Sequence, residues 1–106
     1  MNVLVDFTIV PLGVGVSVSA YVAECERILA AAGLTHTLHA NGTNVEGEWD
    51  AVFAAVRACH EKVHTMGAPR IFSTLKVNTR TDRKQSLGDK VASVEEKLKG
   101  VDSWTR

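Results

Sequence analysis

The segment His60–His64 reads His-Glu-Lys-Val-His and matches the H-E-x-x-H pattern of zinc-dependent hydrolases. Two histidines four positions apart share one helix face and can bind Zn²⁺ there, while the glutamate serves as a general base. The longer form of the pattern is matched as far as Gly67, but Arg70 stands where the third ligand belongs and cannot coordinate a metal. A hydrolase using His60, Glu61 and His64 therefore ranks last among the functions considered, and we assign no metal ligands.

Hydrogen-bonding side chains are concentrated in one short stretch that contains Asn41, Thr43, Asn44 and Glu46. Asn41-Gly42 separates two short runs in which apolar and polar residues alternate. Asn-Gly is the strongest short-range signal for a β-hairpin, because both residues tolerate the positive φ of a tight primed turn. The pattern predicts a hairpin that gathers these side chains near one end of a sheet, where we expect a ligand.

The loop Gly13–Gly15 precedes a predicted helix, as phosphate-binding loops do. It lacks both the G-x-G-x-x-G spacing and the G-K-[ST] ending, so a dinucleotide or nucleoside triphosphate site is not expected. The start of the helix has two open interpretations. Either Ser17 or Ser19 caps it, or its free N–H groups bind a small anion.

A charged cluster follows the last predicted strand, because the segment Asn78–Lys84 holds three basic residues and one acidic residue. A solvated loop is one explanation. The alternatives are that Arg80 and Asp82 pair across a subunit contact, or that Arg80 meets an anionic ligand.

Hydrophobic periodicity predicts the order β-α-β-β-α-β-α. The predicted strands are 3–10, the two arms of the hairpin and 70–79, and the predicted helices are 18–32, 49–66 and one capped by Ser86 whose apolar positions extend to Val101. Two βαβ-type units with right-handed crossovers place both main helices on one face of a four-stranded antiparallel sheet. The expected fold is therefore α+β and ferredoxin-like, with an additional C-terminal helix, in a single domain over residues 1–106.

The two faces of the predicted sheet differ in character. Apolar residues on one face are expected to be covered by the helices: Val3, Val5, Phe7, Ile9, Leu75 and Val77. The other face is mixed, with Leu4, Asp6, Thr8, Val10, Phe72, Thr74, Lys76 and Asn78. Such a face usually meets another subunit or a ligand, and otherwise is a solvated face with a few tolerated apolar residues.

Composition excludes several classes of partner. Twelve basic and twelve acidic residues cancel, so the clustered positive charge that duplex nucleic acid requires is missing, and Phe72 alone offers a base-stacking platform for RNA. No apolar run approaches the roughly 18 residues of a membrane span. Cys25 and Cys59 are expected to be buried, reduced thiols, and we expect a cytoplasmic protein that binds neither nucleic acid nor membrane.

Motifs along nearly the whole chain resemble the small thiamine-binding-protein family related to YkoF, in its short single-domain form. They are Val10-Pro11-Leu12-Gly13, Ser17–Val22, Leu38-His39, Gly42-Thr43, Glu46-Gly47, Trp49-Asp50, Cys59-His60-Glu61, Gly67, Thr79–Asp82 and Lys90. The resemblance implies a ferredoxin-like fold and oligomers, commonly tetramers built as dimers of dimers. It also implies binding of thiamine or its hydroxymethylpyrimidine part, with no enzymatic activity and no cofactor.

The resemblance also implies a ligand set, in which Ser17, Thr43 and Glu46 are the best-matched polar positions and Asn41 with Gly42 shapes the turn. An aminopyrimidine needs paired donors and acceptors, which Glu46 and Asn41 would supply, while Thr43 would satisfy a ring nitrogen. Lys76 and Arg80 complete the predicted set. The alternative is a structural or regulatory oligomeric module that binds no small ligand.

Overall fold

The computed structural model of the chain describes residues 1–84 and 86–99. Seven elements follow one another in the expected order: β1 (Asn2–Leu12), α1 (Ser19–Ala31), β2 (Thr35–His39), β3 (Gly42–Glu48), α2 (Trp49–Thr65), β4 (Arg70–Asn78) and α3 (Leu87–Lys99). Val101, predicted on the apolar stripe of the last helix, lies outside the described residues. No helix in the described ranges is long and apolar enough to cross a membrane.

The four strands form one antiparallel sheet in the order β2-β3-β1-β4. Val5 on the central strand β1 lies opposite Val45 on one side and Val77 on the other. Since side chains alternate across a strand, this register places the odd-numbered residues of β1 on the face covered by α1 and α2. The predicted α+β ferredoxin-like fold with a C-terminal helix is confirmed.

The core lies between that face and the two helices. Its fully buried members include Val3, Leu29, Val45, Val52, Cys59 and Val63. Cys25 and Cys59 are both free and buried, as predicted. Hydrogen bonding with Cys25, together with burial, raises the pKa of the Cys59 thiol. Val77 was expected in this core, but 45% of it is exposed, because the covering helices do not extend over the end of the edge strand β4.

The hairpin is confirmed, but its predicted primed turn is wrong. His39 pairs with Gly42, so the connection consists of Ala40 and Asn41 and not of Asn41 and Gly42. Among the described residues only Gly13, Gly15, Gly33 and Gly67 have positive φ. Gly42 is already the first residue of β3.

The predicted N-cap is wrong for α1 and confirmed for α3. Val18 occupies the N-cap position of α1 without a side-chain hydrogen bond, so neither Ser17 nor Ser19 caps this helix. In contrast, Ser86 caps α3: its Oγ accepts a bond from the N–H of Asp89 (3.1 Å), and its N–H donates to Asp89 Oδ2 (3.0 Å). These bonds hold the pKa of Asp89 below its usual value.

The second sheet face remains largely open. Val10, Leu12 and Phe72 are exposed on it, and α3 stands over its other half. No residue of α3 in the described range is buried, so this helix does not close the face by packing.

Candidate functional site

A cavity of about 300 Å³ lies between α1 and the β2–β3 hairpin, and we call it the hairpin cavity. Its walls combine apolar side chains with a few polar groups. The apolar members include Phe7, Ile9, Val10, Val18, Val22 and Leu38, and the polar ones are Thr8, Glu26, His39, Asn41 and Thr43. A concave, mostly apolar site with a few convergent polar groups is typical of small-molecule pockets, and this volume lies at the lower end of their range.

Thr43 and Glu26 form the central polar pair of the hairpin cavity. Thr43 shares the helix-facing side of β3 with Val45, and with 4% exposure it is the one buried polar residue in the described part of the chain. Its Oγ1 donates a hydrogen bond to Oε2 of Glu26 at 3.1 Å. Glu26 directly follows the buried Cys25 on α1, so it stands at the margin of the helix's buried stripe. The pair therefore fixes a carboxylate beside apolar walls.

A second polar network orders the tip of the hairpin. Thr8 Oγ1 donates to the backbone oxygen of Asn41 at 2.9 Å. The N–H of Asn41 donates to Nδ1 of His39 at 3.3 Å, so the ring proton is on Nε2, which donates to Asp6 Oδ1 at 2.8 Å. The network passes over Gly42, where a Cβ would lie 2.8 Å from both the Phe7 oxygen and Thr8 Oγ1. Only glycine fits at this position of β3.

This arrangement is suited to binding. A carboxylate has several acceptor positions, and Thr43 uses one of those on Glu26, which leaves others for an amino group of a ligand. The same carboxylate attracts a cation, with less screening than in bulk water. Both ring nitrogens of His39 are occupied, one by the N–H of Asn41 in the hairpin and the other by Asp6 on β1, so this histidine is not positioned as a general base.

The structure does not bring the seven predicted ligand residues together. Asn41, Gly42 and Thr43 line the hairpin cavity. Glu46 and Arg80 line a second cavity of about 700 Å³ on the opposite sheet face. Lys76 lines a third, of about 720 Å³, beneath α3. Ser17 is exposed in the loop before α1 and lines none of the three.

The split follows from strand periodicity, because residues 43 and 46 of one strand point to opposite faces. Glu26, Thr8 and His39 line the hairpin cavity but were not among the predicted ligand residues. A usable signal for Glu26 was present: an acidic residue next to a buried cysteine on an apolar helix stripe must lie at the edge of the core.

Arg80 and Asp82 pair within one chain. Nε of Arg80 donates to Asp82 Oδ1 at 2.6 Å, and a further bond links the same side chains. The Arg80 guanidinium is the main cause that lowers the pKa of Asp82 to about 2. This contact explains the proximity of two charged residues of the segment Asn78–Lys84 without a partner subunit.

The two histidines of the H-E-x-x-H pattern have separate partners within the protein. Nε2 of His60 lies 2.8 Å from Ser73 Oγ, and Nδ1 of His64 donates to the Ala68 oxygen at 2.8 Å. Burial, with the nearby His64 as a second cause, lowers the pKa of His60. Across residues 1–84 and 86–99, no three histidine, cysteine or acidic side chains are grouped as metal ligands.

Comparison with known proteins places these features in a family. A family model described as thiamine-binding protein matches residues 5–95. The chain is 65% identical to UPF0045 protein sll0230 of Synechocystis sp., over 90% of this chain and 78% of the relative. It is 41% identical to UPF0045 protein ECM15 of Eremothecium gossypii, over 92% and 94% of the two chains.

Solved structures agree with the fold. Protein MJ1052 of Methanocaldococcus jannaschii is 30% identical and superposes with a TM-score of 0.84, over 90% of this chain and 97% of that one. A Thermotoga maritima protein described as a putative thiamine biosynthesis/salvage protein gives a TM-score of 0.76 over 89% and 99% of the chains. At 17% identity, this likeness concerns the fold alone.

Proposed function

Since the chain belongs to the thiamine-binding protein family, we propose that it binds thiamine, or the hydroxymethylpyrimidine part of thiamine, in the hairpin cavity. The observation that carries the proposal is the Thr43–Glu26 pair, which holds a carboxylate at the wall of a mostly apolar cavity. The role is binding without catalysis.

The chemistry of the ligand matches the cavity. The 4-amino group of the pyrimidine donates hydrogen bonds, and Glu26 accepts them while Thr43 fixes the orientation of the carboxylate. The flat ring lies against apolar walls such as Val18, Val22 and Phe7, so its burial adds hydrophobic stabilisation. In intact thiamine the cationic thiazolium gains an additional attraction to the same carboxylate.

The proposal revises the ligand set that we predicted. Thr43, Asn41 and Gly42 remain in it. Glu26 replaces Glu46 as the carboxylate that orients the ligand. Two free, buried thiols fit a reducing compartment, so the proposal includes a cytoplasmic location. No observation favours the zinc hydrolase, since its two histidines have separate partners.

Isothermal titration calorimetry with thiamine and with hydroxymethylpyrimidine tests the site. Glu26→Gln keeps the shape of the side chain and removes its charge, so we expect thiamine affinity to fall at least tenfold, about 1.4 kcal/mol. Glu46→Gln is the matched control: it makes the same change on the opposite sheet face and leaves affinity unchanged. Loss of binding in Glu46→Gln but not in Glu26→Gln would move the site to the open face.

Thr43→Val separates orientation from charge, because it preserves the volume of the side chain and deletes only the hydroxyl that fixes Glu26. We expect weaker binding than in the wild type but stronger than in Glu26→Gln. If the wild-type protein binds neither ligand at millimolar concentration, the proposal fails and the ligand-free module takes its place.

A further inference from the structure

Cys25 belongs to the wall of the hairpin cavity, although almost none of it is exposed at the outer surface of the protein. Only 2% of the residue is exposed, and it lines the cavity together with Val22 and Glu26 of the same helix. A cysteine in a closed core is inert, because reagents cannot reach its sulfur. The cavity of about 300 Å³ gives small molecules a route to the Cys25 thiol.

Cys59 is the partner of Cys25 across the packed helices α1 and α2. It is fully buried and is not among the residues that line the hairpin cavity. Its Sγ lies 3.8 Å from the backbone oxygen of Cys25, and the two thiols are also hydrogen-bonded to each other. Both thiols are free. One member of the pair therefore stands at a cavity wall, and the other lies behind it in the core.

The two thiols differ in acidity. Hydrogen bonding with Cys59 lowers the pKa of the Cys25 thiol and outweighs burial and the nearby Glu26 and Glu24, which act in the opposite direction. The same hydrogen bond, together with burial, raises the pKa of the Cys59 thiol. Cys25 is therefore the first of the two to become a thiolate, which is the nucleophilic form of cysteine. The thiol that small molecules can reach is also the more reactive one.

We propose that Cys25 is an oxidation site for hydrogen peroxide that enters the hairpin cavity, and that Cys59 converts the oxidised Cys25 to a disulfide. In the first step the Cys25 thiolate attacks a peroxide oxygen, so that an S–O bond forms and the O–O bond breaks. The hydroxide that leaves takes up a proton and becomes water.

In the second step the sulfur of Cys59 attacks the sulfur of the Cys25 sulfenic acid. The S–S bond forms and the S–O bond breaks, and the departing oxygen leaves as water with the proton of Cys59. The two thiols together lose two electrons, which reduce the peroxide to water. A disulfide that forms and is reduced again in this way is of the transient kind found in reducing compartments.

The cavity selects the oxidant by size and charge. Hydrogen peroxide is uncharged and hardly larger than water, so it can enter beside the Glu26 carboxylate. Glutathione disulfide is much larger and negatively charged, so the walls obstruct it and Glu26 repels it. We therefore expect peroxide, and not a low-molecular-weight disulfide, to be the oxidant of Cys25.

Peptide mapping of the folded, reduced protein after brief exposure to hydrogen peroxide tests the site. We expect an intrachain disulfide between Cys25 and Cys59 that dithiothreitol reverses, and a rate at least roughly tenfold lower with glutathione disulfide at the same concentration. The proposal is overturned if both thiols remain unreacted, if the link forms only in protein unfolded by urea, or if a sulfenic acid persists in the wild type. Equal rates with the two oxidants would contradict selection by the cavity.

Cys59→Ser and Cys25→Ser are matched variants that assign the two roles, because serine preserves the size of each side chain. In Cys59→Ser the oxidation should stop at the sulfenic acid of Cys25, which dimedone traps. In Cys25→Ser the thiol of Cys59 should survive the same exposure, since peroxide has no route to it. Oxidation of Cys59 in that variant at the wild-type rate would contradict the assignment. The disulfide map of the wild type needs no substitution, so it decides the proposal even if a variant fails to fold.

This inference uses the hairpin cavity but not its ligand, so it goes beyond the proposed function. A protein that forms the disulfide and binds no thiamine would contradict the proposed function alone. A protein that binds thiamine and never forms the disulfide would contradict this inference alone.

Discussion

His39 on β2 is hydrogen-bonded to Asp6 on β1, although β3 runs between these two strands. The bond joins Nε2 to Oδ1 at 2.8 Å, and it passes over Gly42, where a Cβ would lie 3.2 Å from the same carboxylate oxygen. Strands two places apart can exchange a short side-chain contact only where the strand between them carries no side chain. The glycine thus allows the hairpin tip, and with it the wall of the hairpin cavity, to be fixed to the central strand.

Gly42→Ala should destabilise the protein by about 1–3 kcal/mol, because the added methyl group collides with the backbone oxygen of Phe7 and with Thr8 Oγ1. Urea unfolding gives the free energy. Gly88→Ala is the control: its nearest atom is 3.8 Å away, and alanine favours the helix, so stability is unchanged or rises by up to about 1 kcal/mol. Equal stability of the Gly42→Ala protein and the wild type would show that the hairpin network is not tight.

The hairpin also shows which features local sequence patterns predict and which they do not. Alternation predicted the strands and their buried face, and Asn41-Gly42 correctly indicated a hairpin. The turn itself is shifted by one residue, because the contacts of Thr8 and Asp6 from a strand more than thirty residues away set the register. Contacts between residues so far apart in sequence cannot be predicted from the pattern of neighbouring residues.

Leu29→Ala should destabilise the protein by about 2–5 kcal/mol, since Leu29 is fully buried between α1 and the sheet and its truncation leaves a cavity. Leu38→Ala makes the same chemical change at a side chain that is 57% exposed on the edge strand β2, and it should alter the free energy of unfolding by less than about 1 kcal/mol. Thermal and urea denaturation of the two variants measure the difference. Similar losses would mean that the core does not lie where the structure places it.

His60 should make the protein less stable in mild acid. Burial, followed by the nearby His64, lowers its pKa below the ordinary 6.5, so the unfolded chain binds more protons than the folded one between those two pKa values. Stability contributed by neutral His60 is therefore present above pH 6.5 and lost as pH falls through that range towards the folded pKa.

His60→Gln is the test, because glutamine can still bond to Ser73 Oγ but does not titrate. Urea midpoints at about pH 7.5 and about pH 5 should differ less in this variant than in the wild type. An identical pH dependence in both proteins would mean that His60 titrates normally.

The candidate site was only partly predictable. Thr43 and Asn41 were found because polar residues near a hairpin are conspicuous in sequence. Glu46 was grouped with them because it is close to them along the chain and matches the family resemblance, and Lys76 completed the predicted set. In the structure Glu46 and Lys76 lie on the sheet face opposite to Thr43. Glu26 belongs to α1, and no local sequence pattern predicts that this helix lies next to β3.

The most direct test of the account is to map thiamine on the ¹⁵N-labelled protein by amide chemical-shift perturbation. We predict that the largest shifts occur at Glu26, at Thr43 and in the Ala40–Gly42 segment, with little change at Glu46, Lys76 or Arg80. Shifts confined to the latter group, on the open sheet face, would contradict the assignment of the hairpin cavity.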